Sequence, residues 1–448
     1  MTQIEPGLVD GTELTVKRLG PCRIDSPLLP LLGERPTTQH YIDEGDTVLF
    51  DDTVSMIASR DTTRLDELPG FEPAGPRRKI YFDPAKTRVG IVTCGGLCPG
   101  LNNVIRGLVL NLTSHYGVKR IFGFRHGYQG FIAKYGHDVV DLTPEVVANI
   151  DEDGGTILGT SRGQQDLGEV VDCLSRMNIN ILFVIGGDGT LRGAREISRI
   201  ASERGEKIAI VGIPKTIDND IPYIDQSFGF QTAFAKAAEA IRAAHAEATS
   251  APGGVGIVRL MGRHSGFIAC YATLAKSDAD VVLIPEIPFV LDGEGGVLNY
   301  VRRRVEERGH AVIVVAEGAG QDLFPGPSTA TDASGNRKLH DIGGLLRRRI
   351  AEHFAEHNVE LNLKYIDPSY IIRSVPANPY DNVYTIRLAH AAVHAAMSGR
   401  TEMVVGRWRR RFIHIPMSLA ISHRNEVDPS GDLWMSVLEA TGQPPRFQ

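Results

Sequence analysis

Residues 88–102 read RVGIVTCGGLCPGLN and contain, in order, an apolar run, a pair of glycines and the start of an amphipathic segment. The run at 89–93 is short, apolar and largely β-branched, which predicts a buried strand. The glycines predict a tight turn, and residues 101–115 predict a helix. A strand, a turn and a helix in this order form the repeating unit of a protein built on a parallel sheet.

The same alternation recurs along the rest of the chain. Further strands are expected at 181–185, 208–213, 256–260, 281–284 and 311–316. Further helices are expected at 191–204, 232–248, 265–274, 297–307, 342–357 and 381–397. The sequence therefore predicts the α/β class throughout. Because ligands of open parallel sheets gather where strands end and helices begin, the turns after these strands are the places to look for a site.

The length and the charge exclude several function classes. With 448 residues, the chain is long enough for two or three compact lobes, since single cores rarely grow beyond roughly 250–300 residues. A formal net charge of −6 gives no general attraction to nucleic acid or to anionic membranes. No stretch approaches the roughly 18 apolar residues that a membrane helix requires. We expect neither a nucleic acid nor a membrane as partner.

The cysteines and the N-terminal region indicate where the protein acts. Five scattered cysteines, an odd number, are typical of reduced thiols and predict a cytoplasmic protein. The N-terminus lacks the basic start and apolar core of a secretory signal. Residues 1–85 are rich in Pro, Asp, Thr and Arg without a sustained apolar period, which predicts an irregular N-terminal extension.

The turn at residues 186–190 reads GGDGT and follows the apolar run ILFVI. It places Asp188 and Thr190 among glycines, where a carboxylate can hold Mg²⁺ against nucleotide phosphates. A helix cap alone would account for one polar residue but not for the flanking glycines. The same motif also occurs in NAD kinases and lipid kinases. By itself it indicates only nucleotide-dependent phosphoryl transfer.

The stretch PKTIDND at 214–220 follows the apolar run IAIVGI and places Asp218 and Asp220 beside Lys215. Phosphoryl transfer to a hydroxyl needs a carboxylate that accepts the proton, and a second acid can organise a metal or the base. A nearby cation offsets the charge on the transferred group. Asp-Asn-Asp is also a common turn former, so a purely structural turn is the alternative.

Two more strand ends carry candidate ligand groups. In CGGLCPGLN (94–102), paired glycines let backbone amides approach an anion, although the same pattern serves as a tight strand-to-helix connection. In MGRHSG (261–266), Arg263 lies at the end of an apolar strand. It is either a contact for a sugar phosphate or a solvated charge.

Seven segments together resemble phosphofructokinase motifs: GGLCPGLN, ILGTSRG, GGDGT, PKTIDND, MGRHSG, VVAEG and YIIRSVPANPYD. The match spans roughly residues 88–400, and the long N-terminal segment resembles the long-form, ATP-dependent branch of the family. The resemblance implies two doubly wound, Rossmann-like parallel-sheet lobes with the active site between them. It divides the chain into an N-terminal extension (1–85), an ATP-binding lobe (86–229 with about 373–425) and a fructose 6-phosphate-binding lobe (230–372 with about 426–448).

The family pattern also implies a role for each matching residue. ATP would contact Gly96, Arg162, Gly163, Gly187, Asp188, Gly189 and Thr190, with Asp188 holding Mg²⁺. Fructose 6-phosphate would contact Thr216, Ile217, Asp218, Met261, Gly262, Arg263, Glu317, Lys364, Tyr370 and Arg373. Asp218 would accept the proton of the 1-hydroxyl, supported by Asp220 and Lys215. The implied reaction gives fructose 1,6-bisphosphate and ADP in glycolysis.

The resemblance implies an allosteric homo-oligomer, a dimer or a tetramer, yet two positions depart from the short-form enzymes. Where many of those enzymes supply an arginine from a neighbouring subunit, this chain has Gly254, and at a second such position it has Lys364. Lysine keeps the charge without the bidentate fork, whereas glycine removes the charge altogether. The cross-subunit part of the phosphate site is therefore expected to differ.

The choice of phosphoryl donor depends on two positions that disagree. In the pyrophosphate-dependent members, an aspartate follows the GGD aspartate and would intrude on the nucleotide α-phosphate, whereas this chain has Gly189. Lys215 is shared with those same members. The size and charge of such an aspartate would act directly on ATP, whereas a cation near the transferred group can assist either donor. The sequence therefore favours ATP as the donor, with pyrophosphate as the alternative. An NAD or lipid kinase leaves PKTIDND, MGR and YIIR unexplained, and a non-catalytic regulatory subunit has no need of the acids.

Overall fold

The computed structural model describes residues 14–28, 41–59, 68–326, 330–331 and 337–448. Its strands, in chain order, are β1 (Lys17–Arg18), β2 (Ile24–Asp25), β3 (Val48–Leu49), β4 (Gly70–Pro73), β5 (Lys79–Ile80), β6 (Arg88–Thr93), β7 (Arg120–Phe124), β8 (Val139–Asp141), β9 (Ile181–Gly186), β10 (Ala209–Pro214), β11 (Gly254–Leu260), β12 (Val281–Leu283), β13 (His310–Ala316), β14 (Asn362–Ile366), β15 (Arg400–Thr401), β16 (Met403–Trp408) and β17 (Arg411–Pro416).

The helices pack around these strands. In chain order they are α1 (Val54–Ser59), α2 (Leu101–Asn111), α3 (Leu167–Arg176), α4 (Asp188–Glu203), α5 (Phe230–Thr249), α6 (Phe267–Ala275), α7 (Val297–Arg308), α8 (Ile342–Glu356), α9 (Ser369–Ser374), α10 (Pro379–Met397), α11 (Met417–Ala420) and α12 (Asp432–Thr441). None of the described helices combines the length and the apolar character that crossing a membrane would take.

The larger sheet has nine strands in the order β3-β4-β17-β16-β10-β9-β6-β7-β8. Its centre, from β16 to β7, is parallel, while β17, β4 and β8 join the outer parts antiparallel. Every residue of β9 and β10 is buried. Strands covered by helices on both faces read as continuous apolar runs, which is why ILFVI and IAIVGI were readable as strands.

The smaller sheet has four strands in the order β12-β13-β11-β14, all parallel. Its apolar core includes Val255, Ile257, Ile313 and Val315, which are fully buried. In this sheet, as in the large one, each long strand leads through a turn into a helix, so the carboxyl ends of the strands lie along one edge.

These sheets confirm the α/β prediction. All six predicted strands are present within two residues at each end, whereas β7, β8, β14, β16 and β17 were not predicted. The predicted helix at 101–115 is an α-helix to Asn111 and then a π-helical turn at Leu112–Tyr116. The stretch 318–338 is rich in Gly, Pro, Ser and Thr, which predicts a surface excursion. Its residues 327–329 and 332–336 lie outside the described residues.

The N-terminal segment contributes to the fold where it is described. Strand β4 pairs with β17 and thereby extends the large sheet, with Phe71 fully buried. Strand β1 pairs with β15 near the end of α10. The predicted irregular extension at residues 1–85 therefore includes short strands, which were missed because two- to four-residue strands carry too little periodicity to be recognised.

Candidate active site

Three turns of the large sheet lie side by side at its carboxyl edge. The backbone nitrogen of Cys94, after β6, donates a hydrogen bond to Ile185 O at 2.9 Å. The backbone nitrogen of Lys215, after β10, donates to Gly186 O at 3.0 Å. The glycine turn (residues 94–102), the GGDGT turn (residues 186–190) and the acid turn (residues 214–220) are thus direct neighbours, as expected for neighbouring parallel strands.

The carboxyl edge of the small sheet meets these turns. The backbone nitrogen of Glu317, after β13, donates to Leu260 O at 2.9 Å, which joins two turns of that sheet. The Ser265 hydroxyl, after β11, donates to Asp218 O at 3.2 Å. This hydrogen bond connects the two sheets at their carboxyl edges. We call the place where these edges meet the junction.

The acid turn holds its shape by internal hydrogen bonds. Thr216 Oγ1 donates to Asp220 Oδ1 at 2.8 Å and accepts from the Asp218 nitrogen at 3.1 Å. Asn219 has a φ of 57°, a left-handed conformation that asparagine tolerates better than most residues. Its Oδ1 accepts from the Ser227 nitrogen at 2.7 Å. The polar residues of PKTIDND thus fix the turn as well as supplying acids.

Within this turn, Asp218 has a carboxylate oxygen that accepts no hydrogen bond from the described part of the chain. The residue is half-buried, but its Oδ1 is fully buried and has no hydrogen-bond partner among the described residues. Burial raises the pKa of Asp218 well above its usual value, and the charges of Asp220 and Glu317 raise it further. Lys215 and Arg424 act in the opposite direction. A buried carboxylate with a raised pKa and a free oxygen is suited to accepting a proton.

Lys215 joins the acid turn to the glycine turn. Its ammonium donates to Gly96 O at 2.7 Å, and the side chain is only 7% exposed. Burial lowers the pKa of Lys215. A Cβ placed on Gly96 would lie 3.5 Å from Arg162 Nη2 and 3.9 Å from Arg373 Nη1. Three cationic side chains therefore converge on the glycine turn, where the absence of a side chain leaves room for an anion.

The loop that carries Arg162 and Gly163 lies against the glycine turn. The Gly95 nitrogen donates to Ser161 O at 3.4 Å in this loop. Gly163 has a φ of 98°, a conformation that glycine adopts without strain. The predicted ATP contacts from ILGTSRG and GGLCPGLN are thus brought together although more than 60 residues separate them.

The GGDGT turn leads into helix α4, which begins at Asp188. Asp188 is 34% exposed and pairs with Arg192 one helical turn later, at 3.1 Å between Arg192 Nε and Asp188 Oδ1. Gly189 is exposed, and a Cβ placed there would meet no described atom within 4 Å. An accessible carboxylate at a helix N-terminus next to open space fits Mg²⁺, which usually takes one or two protein carboxylates plus phosphate and water oxygens.

The residues predicted for the sugar phosphate follow β11. Gly262 has a φ of 132°, and its carbonyl accepts from the Gly318 nitrogen at 3.0 Å, which fixes this turn against the one after β13. Met261 is half-buried, and Ile217 in the neighbouring acid turn is 5% exposed. Arg263 is half-buried, and its Nη2 donates to Arg337 O.

Glu317 is held by an arginine that the sequence analysis did not single out. Arg259 Nη2 lies 3.0 Å from Glu317 Oε2, and Arg259 Nη1 lies 2.7 Å from Asp367 Oδ2. Burial raises the pKa of Glu317, while the Arg259 charge opposes that shift. The available signal was a charged residue near the end of an otherwise apolar strand. Arg259 fixes the orientation of Glu317 at the junction.

The remaining predicted residues lie on strand β14 and on helix α9, which follows it. Helix α9 carries Tyr370, which is 76% exposed, and Arg373, whose guanidinium carbon lies 4.7 Å from the centre of the Tyr370 ring. Lys364 lies in β14, the edge strand, opposite Gly256. Arg373 therefore reaches the glycine turn, whereas Lys364 lies in the body of an edge strand.

Gly254 begins β11, at the amino end of the strand that leads to Met261. A Cβ on Gly254 would lie 1.8 Å from Ala248 O, closer than any real contact. No side chain fits there without moving the backbone. The glycine at this position, noted as a departure from the short-form pattern, thus has a packing reason.

A second residue outside the predicted set is Arg424, in the connection after α11. It lies between two carboxylates of the junction, with Nη2 3.9 Å from Asp188 Oδ2 and Nε 3.9 Å from Asp220 Oδ2. No motif surrounds it, and only the folded chain brings it to the other acids.

Known proteins are similar to this chain over most of its length. A sequence model of a family described as phosphofructokinase matches residues 88–396. A protein of Amycolatopsis methanolica named ATP-dependent 6-phosphofructokinase is 59% identical over 441 residues, which cover 97% of this chain and 96% of that protein. A protein of Borreliella burgdorferi with the same name is 45% identical over 441 residues, covering 97% of this chain and 98% of that protein.

Among solved structures, a pyrophosphate-dependent phosphofructokinase from Marinobacter aquaeolei aligns with a TM-score of 0.65 at 20% identity, covering 79% of this chain and 91% of that one. At this identity the likeness concerns the fold.

Proposed function

The chain belongs to the phosphofructokinase family, and from this premise we propose that it transfers the γ-phosphoryl group of ATP to the 1-hydroxyl of fructose 6-phosphate. The products are fructose 1,6-bisphosphate and ADP. One observation carries the proposal. The unpartnered, buried carboxylate oxygen of Asp218 lies at the junction, close to the Lys215 ammonium and beside the glycine turn.

Asp218 accepts the proton of the attacking 1-hydroxyl. Its free oxygen can take a hydrogen bond from that hydroxyl, and its raised pKa favours proton uptake. Thr216 holds the backbone nitrogen of Asp218, and Asp220 is bound in turn by Thr216. The base is therefore oriented before substrate arrives, which saves reorganisation during the reaction.

Cationic groups receive the phosphates of the donor. Lys215 and Arg162 lie against Gly96, so the transferred group would enter a concentration of positive charge. The N-terminus of α4 adds backbone N–H groups that point towards an anion. Asp188 would hold the Mg²⁺ that accompanies the nucleotide, and such an ion would supply charge that offsets the negative charge on the phosphate oxygens.

The small sheet binds the sugar phosphate. Glu317, oriented by Arg259, accepts hydrogen bonds from sugar hydroxyls, while the turn at Met261, Gly262 and Arg263 forms the wall next to it. Thr216 and Ile217 approach from the acid turn. Tyr370 and Arg373 provide contacts for the 6-phosphate, with Tyr370 exposed next to the Arg373 guanidinium. Lys364, in the edge strand β14, would contribute its charge to the phosphate site of a neighbouring subunit.

Pyrophosphate is the second candidate donor because Lys215 is shared with the pyrophosphate-dependent members. Gly189 favours ATP. The space beside Gly189 is free of described atoms, so the nucleotide α-phosphate and its sugar meet no side chain there. An aspartate in its place would fill that space and repel the phosphate.

We also propose the division of labour between the lobes. Residues 86–229 with about 373–425 bind ATP, and residues 230–372 with about 426–448 bind fructose 6-phosphate. The large sheet draws its parallel strands from the first set, and the small sheet draws its four strands from the second. The site then lies between the lobes.

Assembly, regulation and location are proposals as well. A homo-oligomer, a dimer or a tetramer, is supported by exposed apolar side chains on α9 and the start of α10, including Ile371 and Val383. Allosteric control is proposed from the family alone. All five cysteines are free thiols, which supports a cytoplasmic enzyme of glycolysis.

A coupled assay tests the function directly. The purified protein is given ATP, Mg²⁺ and fructose 6-phosphate, and fructose 1,6-bisphosphate is followed through aldolase while ADP is measured separately. Equal formation of both products is expected. ADP formation without fructose 1,6-bisphosphate, or no turnover, would remove the proposal.

A further inference from the structure

Arg424 lies in the connection between α11 and α12, which passes from one side of the junction to the other. Helix α11 packs on α4 and the large sheet, whereas α12 packs on α6 beside the small sheet. The connection is attached at both sides. The Asn425 nitrogen donates to Asp220 O at 2.8 Å, and the Val427 nitrogen donates to Glu286 Oε1 at 2.8 Å.

The second attachment reaches helix α6, which packs beside the small sheet. Glu286 Oε1 also accepts from the Gly266 nitrogen at 2.9 Å, and Gly266 directly precedes α6. One carboxylate therefore binds the connection to the N-terminus of α6. The backbone around Arg424 is fixed by groups on both sides, so the position of its Cα does not depend on its own side chain.

The guanidinium of Arg424 bridges the donor side and the acceptor side. It lies 3.9 Å from Asp188, the acid at the start of α4, and 3.9 Å from Asp220, the acid next to the base. The side chain is 38% exposed. Both ion pairs are long and partly solvated, and such pairs contribute only about 0–1 kcal/mol. The guanidinium is therefore held loosely enough to exchange one carboxylate for another anion.

In phosphoryl transfer, negative charge is spread over the oxygens of the transferred group. In the proposed function the donor lies towards Asp188 and the attacking hydroxyl towards Asp218, two residues from Asp220, so the transferred group passes between the two acids. A planar cation with several N–H donors between them can follow the charge as it moves from donor to acceptor.

We propose, on the basis of the function above, that Arg424 is a catalytic residue that donates hydrogen bonds to the phosphoryl group in transfer. Without ligands it balances Asp188 and Asp220. Asp188 would hold the magnesium ion that accompanies the donor, and the guanidinium would then be free to donate to the phosphoryl oxygens while its contact with Asp220 keeps it beside the base. It forms no covalent bond and transfers no proton.

Kinetics of Arg424→Ala and Arg424→Lys provide the first test. Arg424→Ala is expected to lower kcat by roughly a hundredfold, as for other groups that stabilise transferred charge, with little change in the KM for fructose 6-phosphate. Arg424→Lys should recover part of that loss. Arg195→Ala serves as the matched control, since Arg195 lies on the exposed side of α4 near Glu402; it should behave like the unchanged protein.

Binding of Mn²⁺ alone, measured by electron paramagnetic resonance without nucleotide, provides a second readout. Because Arg424 competes for Asp188, Arg424→Ala should bind Mn²⁺ roughly two- to fivefold more tightly than the unchanged protein. A residue that only supports the connection would not produce tighter binding. Slower turnover together with tighter Mn²⁺ binding would therefore support the proposal.

Two results would overturn it. In one, the unchanged protein turns over ATP and fructose 6-phosphate while Arg424→Ala keeps kcat within about threefold, since a donor to the transferred group contributes more than that. In the other, Arg424→Ala and Arg424→Lys are both slow, melt at lower temperature and bind Mn²⁺ no more tightly, as a structural support would. An unchanged protein that shows no turnover contradicts the proposed function instead, so the two failures are distinguishable.

Discussion

The GGDGT turn and the acid turn are neighbours at one edge of the large sheet, yet they differ in burial and in bonding. In the first, Gly189 is exposed beside open space, and Asp188 pairs with arginines on or near the protein surface. In the second, Lys215 is 7% exposed and Asp218 carries a buried, unpartnered oxygen. The acid turn is held by internal hydrogen bonds without a ligand, while the GGDGT turn leaves open space. In the proposed function, the first property would set the rate and the second would select the donor.

Removal of the base in the acid turn should have the largest effect on the reaction rate. Asp218→Asn keeps the shape of the side chain but cannot accept the proton, so kcat should fall by about a hundred- to ten-thousandfold. Steady-state kinetics with ATP and fructose 6-phosphate measure it. Retention of the full rate would mean that Asp218 is not the base.

The same variant should not lose stability. Because the folded-state pKa of Asp218 is raised, its stabilising contribution is present below the pKa of the unfolded chain and is lost as the pH rises through the folded pKa. At neutral pH the charged carboxylate thus destabilises the fold, and Asn removes that charge. The melting temperature of Asp218→Asn at pH 7 should equal or exceed that of the unchanged protein, which separates a chemical defect from unfolding.

The next largest effect is expected from filling the open space at the GGDGT turn. In Gly189→Asp the new carboxylate enters that space, and close like charges cost several kcal/mol, so kcat/KM for ATP should fall roughly a hundredfold. Gly189→Ala adds only a methyl group in open space and should keep most of the ATP activity. Unchanged ATP kinetics in Gly189→Asp would refute the steric argument.

A smaller effect is expected at Glu317, on the acceptor side. Loss of a charge-assisted hydrogen bond from a sugar hydroxyl in Glu317→Gln should raise the KM for fructose 6-phosphate about tenfold. The matched control is Asp367→Asn, which removes the other carboxylate bound by Arg259. If both variants raise the KM equally, binding of fructose 6-phosphate depends on Arg259 rather than on Glu317.

The smallest expected effect is a shift in pH dependence. Since the base must be deprotonated, kcat/KM should fall as the pH drops through the raised pKa of Asp218, at a higher pH than an ordinary aspartate allows. Burial is the main cause of that raised pKa, and the Asp220 charge adds to it. Asp220→Asn should therefore move the acid limb of the profile to lower pH.

A nearby acid serves as the control for that profile. Asp225 accepts from the Arg410 nitrogen at 3.1 Å and is not among the charges that shift the Asp218 pKa. Asp225→Asn should leave the acid limb in place. A shift of equal size in both variants would assign the effect to overall charge.

The sequence predicted the parts of this site that lie in short motifs directly after apolar strands. The strands at ILFVI and IAIVGI were readable because both faces are buried, and the turns after them carry Asp188, Lys215 and Asp218. The edge strand β14, the antiparallel strand β17 and the short β4 were missed because partly exposed or very short strands lack that continuous apolar signal.

Arg259 and Arg424 show why other parts were not predicted. Arg259 meets Glu317 across two parallel strands, and Arg424 meets Asp188 from a connection more than 230 residues away. Such pairs depend on sheet order and on the return of the chain between the lobes, which local patterns do not encode. The packing that excludes a side chain at Gly254 is likewise visible only in the fold.

The most direct test of the account compares the two donors under the same conditions. Initial rates are measured with saturating fructose 6-phosphate and Mg²⁺ while either ATP or pyrophosphate is varied. The open space at Gly189 predicts a higher kcat/KM with ATP than with pyrophosphate. A higher kcat/KM with pyrophosphate would contradict the account, because Lys215 and not Gly189 would then indicate the donor.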